Sequence, residues 1–339
     1  MKKAAVARTF LLLFSFLLAA VQSTSPFAVS SVFVKAVASP RTIIVPDDFP
    51  TIKKAIDNAS AGDTVYVKAG TYDIAPEGYY YFIVAFNAFC CLPIDKPISL
   101  IGENCQNTII NATGEDINAY FFVGISVRAD NVTISGFTIT SVRTAVNLNG
   151  NNDTFTGNII KITGEGLGVS IVNGNVSSNI IEGANRGDGV MANTNSIVYN
   201  NTIRNFNVGI TSFLTDYNQS IFDNIIANNS IGLRLTVPAL FYHNNIENCS
   251  QYSAVCVTSG NVSGAYNWWG TTNRQEISQK IFDNKNDSNL GTVAFEPFLT
   301  RPYADSNHSP LIFTMLVVCG VSLAIIGAGL LVYFKKRKR

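Results

Sequence analysis

The sequence predicts an all-β protein, a parallel β-helix solenoid with an N-terminal capping helix and a C-terminal transmembrane helix. Three observations predict this class: a short motif that recurs along residues 131–269, a second marker that keeps step with it, and a charge-free apolar segment near the end of the chain. The solenoid accounts for residues 62–269, and the cap strand and helix account for residues 42–61.

The repeat is a turn motif, mostly Asn-x-Ile, whose copies begin at Phe137, Asn158, Asn179, Asn201, Asn224, Asn244 and Asn267. Successive copies are separated by 21, 21, 22, 23, 20 and 23 residues. A second marker, a small residue followed by an aliphatic one, recurs once per copy of the turn motif from Ala145-Val146 to Ala254-Val255. The segments between markers are short and rich in Asn, Gly, Val, Ile and Thr, which favours three short strands and three turns per coil.

One coil cannot bury its apolar side alone, so the coils must stack and share a core. The repeat predicts one inward ladder from Ile139 to Trp269 and another from Val146 to Val255. The stacked turn asparagines can pass amide hydrogen bonds from coil to coil. Together with two less regular coils around Gly62–Tyr72 and Ile98–Ile101, this predicts roughly nine or ten coils.

The capping helix is predicted from apolar residues at helical spacing, Phe49, Ile52, Ile56 and Ala59, with start signals at Asp48 and Pro50. Such a helix would close the open N-terminal end of the stack, because terminal repeats otherwise expose their core.

The chain begins with a predicted secretory signal peptide over residues 1–23, in which Lys2, Lys3 and Arg8 precede the apolar run Phe10–Val21. Two alternatives remain open: cleavage near 36–38, and an uncleaved N-terminal anchor. A linker is predicted over 24–41.

At the other end a juxtamembrane linker (301–310) leads to Leu311–Phe334, a charge-free stretch long enough to span a bilayer, and then to a basic tail over 335–339. The positive-inside rule predicts a single-pass protein of the cell membrane with its β-helix outside and its short tail in the cytoplasm.

Charge limits the classes of function. Charged residues are only 14% of the chain, which argues against a disordered or nucleic-acid-binding protein. The formal net charge of +1 hides a segregation, because all 23 acidic residues lie between Arg41 and Pro310 with 15 basic ones, a net charge of −8 there.

The segment Ile43–Tyr72 resembles the opening of right-handed parallel β-helix proteins of the pectin-lyase-like superfamily. The Asn-rich coils are similar to NosD-like and carbohydrate-binding or sugar-hydrolase β-helix repeats. Tyr266–Leu299 resembles the closing module of extracellular archaeal members, so a closing module is predicted over 270–300. The resemblance covers residues 42–300 and implies a right-handed coil in a membrane-anchored surface protein, but activities within this superfamily vary widely.

Enzymes of this superfamily use clustered or paired acids, as the resemblance implies. Between 131 and 267 the chain has seven acids, none adjacent: Asp153, Glu165, Glu182, Asp188, Asp216, Asp223 and Glu247. Two His and three Met are too few for a copper site, so neither a metal nor another cofactor is expected. The sequence therefore favours a non-catalytic protein.

One of these acids has a structural explanation. Lys161, Glu182 and Arg204 follow the turn motif at the same position in successive coils. We expect them to form a charge ladder on the outside of the solenoid.

The candidate binding residues are aromatic. Tyr199, Phe222 and Tyr242 precede the turn residue by two positions in consecutive coils, which predicts an outward strip that stacks against sugar rings. Two alternatives are that the rings only cover each other and that they point inward. Asp223 and His243 lie one position further along and are the only pair proposed for catalysis.

Five of the six cysteines precede the apolar segment, where oxidation is permitted. A Cys249–Cys256 disulfide is predicted, and Cys105 could pair with Cys90 or Cys91. Twelve Asn-x-Ser/Thr sequons are candidate glycosylation sites: Asn58, Asn111, Asn131, Asn152, Asn175, Asn200, Asn218, Asn228, Asn248, Asn261, Asn286 and Asn307.

Three functions are compatible with this sequence. The first is a surface module that binds a polysaccharide or a surface glycoprotein without catalysis. The second is a polysaccharide-active lyase or hydrolase with a divergent site. The third is a glycosylated structural spacer in a cell envelope.

Overall fold

The computed structural model describes residues 39–74, 81–83, 88–113, 122–213 and 219–304. The predicted signal peptide, transmembrane helix and basic tail lie outside the described residues, as do Asp216, Asn218 and Asn307. Neither of the two helices in the described ranges has the length and apolar character that a bilayer crossing requires.

The described residues form 29 strands and two helices. In chain order they are β1 (Thr42–Val45), α1 (Ile52–Asn58), β2 (Thr64–Val67), β3 (Gly70–Asp73), β4 (Tyr81–Ile83), β5 (Ala88–Ile94), β6 (Ser99–Gly102), β7 (Thr108–Ala112), β8 (Phe122–Val127), β9 (Thr133–Ser135), β10 (Thr138–Ser141), β11 (Thr144–Leu148), β12 (Thr154–Thr156), β13 (Ile159–Ile162), β14 (Leu167–Ile171), β15 (Asn175–Ser177), β16 (Ile180–Glu182), β17 (Asp188–Ala192), β18 (Ile197–Tyr199), β19 (Thr202–Arg204), β20 (Val208–Ser212), β21 (Ser220–Phe222), β22 (Ile225–Ala227), β23 (Ile231–Leu235), β24 (Leu240–Tyr242), β25 (Asn245–Glu247), β26 (Tyr252–Cys256), β27 (Val262–Ser263), α2 (Arg274–Gln279), β28 (Ile281–Phe282) and β29 (Val293–Ala294).

The strands build a parallel β-solenoid with three long sheets. Sheet A has nine strands, from β1 through β2 and β6 to β24; sheet B has eight, from β3 to β25; and sheet C has ten, from β4 to β28. Pairing is parallel throughout these sheets except between β4 and β5. Eight complete coils, from β2–β3–β5 to β24–β25–β26, each add one strand to every sheet. This is fewer than the nine or ten predicted, because β1 and β28 belong to incomplete coils at the two ends.

The core is made of inward side chains stacked in register. Ile139, Ile160, Ile181, Ile203, Ile226 and Ile246 are fully buried in sheet B, and Trp269 follows them at 5% exposure, as the repeat predicts. In sheet C the inward ladder from Val146 passes through Leu233 to Ala254 and continues to Ile281 of β28. The prediction that Val255 closes this ladder is wrong by one residue, and Val255 instead pairs with Arg234.

A ladder of buried asparagines forms the turn between sheets A and B. Asn158, Asn179, Asn201, Asn224, Asn244 and Asn267 are each at most 1% exposed. In each coil the backbone N–H at this position donates to the Oδ1 atom of the asparagine in the next coil, at 2.8–3.1 Å. Their Nδ2 groups donate to backbone carbonyls, so the buried amides are satisfied.

Helix α1 lies close to its predicted place. It begins after Thr51, whose hydroxyl accepts a hydrogen bond from the Lys54 N–H at 3.2 Å, so Thr51 is the N-cap rather than Asp48 or Pro50. Ile52, Ala55 and Ile56 are buried in the main core. The apolar spacing of the sequence therefore predicts the buried face correctly.

The predicted Cys249–Cys256 disulfide is not present, because all five described cysteines are free and buried: Cys90, Cys91, Cys105, Cys249 and Cys256. Cys256 is the last residue of strand β26, which begins three residues after Cys249 and rises about 3.3 Å per residue, whereas bridged Cα atoms lie within about 7 Å of each other. The sulfurs instead lie near backbone oxygens, Cys249 Sγ at 3.8 Å from Glu247 O and Cys256 Sγ at 3.5 Å from Thr258 O. The proposed pairing of Cys105 with Cys90 or Cys91 is absent as well.

Candidate functional site

The three predicted binding residues lie on the outward face of sheet A. Tyr199, Phe222 and Tyr242 end the strands β18, β21 and β24, and their Cα atoms are paired in register. The residue before each of them is buried, and strand side chains alternate between faces. The alternative that these rings point inward is therefore wrong.

The rings form a stacked column. The Tyr199 and Phe222 centroids are 5.2 Å apart with planes 9° from parallel, and those of Phe222 and Tyr242 are 5.3 Å apart at 4°. Phe222 thus has a ring against each of its faces, and all three side chains are half-buried. The alternative that the rings cover each other is confirmed in part, so a ligand would meet mainly ring margins and hydroxyl groups.

The two phenol groups of the column are available to a partner. In the described part of the chain, the hydroxyls of Tyr199 and Tyr242 make no hydrogen bond, whereas the Tyr72 hydroxyl donates to Lys68 O at 2.9 Å. Tyrosine combines an apolar body with a polar tip, a combination enriched where proteins contact partners.

The C-terminal end of the column is closed by two further rings. His243 meets Tyr242 edge-on at 5.0 Å and stacks on Tyr303 at 4.4 Å with an angle of 10°. The Asn245 amide holds Tyr303 in place, accepting from its backbone N–H at 2.7 Å and donating to its carbonyl at 2.9 Å. No pattern in the sequence points to Tyr303, because this residue lies outside the repeat and 58 residues from Asn245.

Sheet A differs from the other two sheets in charge. None of its nine strands contains Asp, Glu, Lys or Arg. Its outward positions over the last six strands are hydroxyl, amide, aliphatic or aromatic: Thr133, Ser135, Thr154, Thr156, Asn175, Ser177, Ile197, Tyr199, Ser220, Phe222, Leu240 and Tyr242. Leu240 is 55% exposed and Ile197 is 36% exposed. We call this surface, Thr133 to Tyr242, the uncharged face.

Asp223 and His243 are brought together, at 3.5 Å between the Asp223 Oδ1 and His243 Nδ1 atoms. Both have left-handed backbone conformations (φ 56°) at the turn after sheet A, in one column with Ser178, Asn200 and Tyr266. This separation is longer than the 2.7–3.2 Å that is usual for an N–H···O hydrogen bond. In the described residues no group of three or more His, Cys, Asp or Glu is placed to hold a metal ion.

The charge ladder on sheet B is confirmed in register and in one of its two contacts. Glu182 pairs with Lys161 on one side and Arg204 on the other. The Arg204 Nε donates to Glu182 Oε1 at 2.7 Å, whereas Lys161 makes no ion pair with Glu182. Glu182 is thus engaged in a structural contact on a different sheet from the aromatic column.

Most of the described sequons have accessible side chains. Seven are exposed: Asn58, Asn131, Asn152, Asn228, Asn248, Asn261 and Asn286. Asn111, Asn175 and Asn200 are half-buried, and the Asn200 Nδ2 donates to Ser178 Oγ at 3.1 Å. Glycosylation of these sites stays a prediction.

No protein-family model matches the chain, and no curated protein matches its sequence. The fold is similar to that of a rhamnogalacturonan lyase, with a TM-score of 0.50 and 12% identity over 67% of this chain and 73% of that one. Pectate lyase Pel9A matches with a TM-score of 0.49 and 14% identity over 80% and 83%. An alginate lyase from Paenibacillus matches with a TM-score of 0.46 and 14% identity over 76% and 99%. At these identities the similarity shows a parallel β-helix fold alone.

Proposed function

We propose that this chain is a non-catalytic β-helix protein that binds polysaccharide along the aromatic column. The observation that supports this most is the column itself, three outward rings in register on consecutive coils with two free phenol hydroxyls. A polymer laid along the solenoid would meet one ring per coil over these three coils, at about 4.8 Å spacing. Fold similarity to a protein named rhamnogalacturonan lyase adds weight to a polysaccharide as the partner.

The proposal includes a location on the outside of the cell membrane. It rests on the sequence: a signal peptide over 1–23, a membrane helix over Leu311–Phe334 and a basic tail. We also propose that α1 closes the N-terminal end of the solenoid, since its buried residues join the main core. A surface glycoprotein could present the same glycan chemistry to the column.

A second candidate is a polysaccharide lyase or hydrolase that uses Asp223 and His243. The observation in its favour is the 3.5 Å separation of these side chains. The left-handed turn column accounts for this proximity without catalysis, since it stacks whatever residues occupy that turn in consecutive coils.

The test uses the full chain in detergent on a panel of immobilised acidic and neutral polysaccharides. Retained protein and released reducing or unsaturated ends are measured in the same tube. We expect retention without release, loss of at least tenfold in affinity for Tyr199→Ala/Phe222→Ala/Tyr242→Ala, and little change for Tyr252→Ala, a half-buried aromatic of sheet C.

Each remaining outcome selects a different function. Release that disappears in Asp223→Asn or His243→Gln would establish the enzyme. Retention that survives the triple substitution would exclude the aromatic column as the binding site. Neither retention nor release on any polymer would leave a structural envelope spacer.

A further inference from the structure

We infer that the polymer bound at the uncharged face is an uncharged glycan rather than a polyuronate or another polyanion. This rests on the proposed function and specifies its substrate class. The observation behind it is a contrast between the three sheets of one solenoid, which share the same coils but differ in charge.

Sheets B and C carry charged side chains on their outward surfaces. In the same coils, the strands of sheet A carry none. Sheet B presents Lys161, Glu182 and Arg204 in one row. Sheet C presents Asp188, whose Oδ2 accepts from the Thr211 hydroxyl at 2.8 Å, and Arg234. The fold therefore tolerates charge on an outward strand position, and the absence of charge over nine strands of sheet A is a property of that face.

A polyanion would find no compensation on this face. Protein sites for carboxylates use Arg or Lys as charge-assisted donors, and the strands of sheet A supply neither. The region between Arg41 and Pro310 has a net charge of −8, so the long-range field would slow the approach of a negative polymer. Each uronate residue brought onto the face would lose hydration without gaining a partner.

An uncharged glycan has the complementary chemistry. Its hydroxyls can bond to Thr133, Thr154 and Thr156 and to the free phenol groups of Tyr199 and Tyr242, and its C–H surfaces can pack on ring margins and on Leu240. These contacts need no counter-charge, so binding should depend weakly on salt.

The test compares two forms of one polymer, polygalacturonate and its fully methyl-esterified form, together with neutral xylan, mannan and cellulose. The full chain in detergent is titrated at 50 and 500 mM NaCl. We expect at least one neutral polymer to bind at least tenfold tighter than polygalacturonate, with less than a twofold change between the two salt concentrations.

A charge-gain variant makes the same test from the protein side. Thr156→Lys places a cation on the uncharged face and should raise polygalacturonate affinity severalfold at 50 mM NaCl, and Ser220→Lys should do the same if the first variant folds poorly. Thr140→Lys makes the same change on the outward side of sheet B, and it should not raise polygalacturonate affinity.

The outcomes separate the two proposals. Polygalacturonate binding as tight as that of the neutral polymers, with a strong salt dependence, would overturn the uncharged-ligand inference and leave polysaccharide binding intact. No binding to any polymer would overturn the proposed function and this inference with it.

Discussion

Replacing Asn201 with alanine tests the physical basis of the whole solenoid. This side chain is 1% exposed, and its Oδ1 accepts from the backbone N–H and the Nδ2 of Asn179 at 3.0 and 2.9 Å. Its Nδ2 donates to Val176 O and Tyr199 O, both at 2.9 Å, and to Asn224 Oδ1 at 3.0 Å. Alanine removes all five hydrogen bonds from the middle of the ladder.

The expected loss of stability follows from which groups are left unpaired. The Asn179 backbone N–H becomes a buried donor without a partner, at a cost of about 1–3 kcal/mol. The Asn179 and Asn224 amides keep other hydrogen bonds, so the rest of the loss is on the order of 1 kcal/mol. We expect Asn201→Ala to lower the free energy of unfolding by about 3 kcal/mol, or the melting temperature by roughly 6–12 °C.

Urea and thermal unfolding followed by far-ultraviolet circular dichroism measure this change. Asn207→Ala is the matched control, because Asn207 is exposed and its side chain makes no hydrogen bond; its effect should stay within about 0.5 kcal/mol. Asn201→Asp keeps the acceptor and loses the donors, so it should destabilise the protein as well. Equal stabilities of Asn201→Ala and Asn207→Ala would refute the ladder as a source of stability.

Three further predictions concern charge and the thiols. Glu182→Lys should destabilise the protein by about 0.5–1 kcal/mol in a urea titration, because it breaks the pair with Arg204 and stacks like charges; Glu165→Lys, the same change at an exposed residue, should not, and equal effects would contradict the ladder. Burial raises the pKa of Asp153 from 3.8 to about 6. The pKa of Asp153 is therefore higher in the folded than in the unfolded chain, so protonation of this carboxyl favours the folded state. Its contribution to the free energy of unfolding, on the order of 3 kcal/mol, is full below about pH 4 and is lost as the pH rises through about 6. Asp153→Asn should flatten that part of the pH profile of stability, and an unchanged slope would count against it. Burial also raises the pKa of Cys90 and Cys91 to about 12, so we expect no thiol of the described region to react with a disulfide reagent until urea unfolds the chain; rapid reaction of the native protein would contradict their burial.

The repeat made most of the fold predictable. A buried asparagine ladder requires the same residue at the same turn in every coil. The repeat can therefore be recognised in the sequence even though the coil length varies. The one misalignment, in sheet C, also arises from the variation in coil length. Leu233 and Ala254 are 21 residues apart and pair, whereas the prediction aligned Leu233 with Val255. Where the period changes by one residue, the sequence alone cannot say which side of the turn holds the change.

The contacts of the candidate site that lie outside the repeat could not be predicted from the sequence. Tyr303 meets His243 and Asn245 only because the chain returns to the last complete coil after α2. The disulfide prediction failed for a related reason. Seven residues of separation allow a closed loop, but Cys256 lies at the end of the extended strand β26, which carries it away from Cys249. Contacts of this kind depend on where the chain turns back.

The fold requires one feature of the candidate site, the proximity of Asp223 and His243, but it does not require the other, the lack of charge on sheet A. Neighbouring coils force residues at equivalent turn positions to lie side by side, so the proximity of Asp223 and His243 follows from the register and is weak evidence for catalysis. Nothing in the register requires sheet A to be free of charge, because sheets B and C carry charged residues on equivalent outward positions. A feature that the architecture does not impose is the better guide to function, and it favours a binding surface for an uncharged polymer over a catalytic pair.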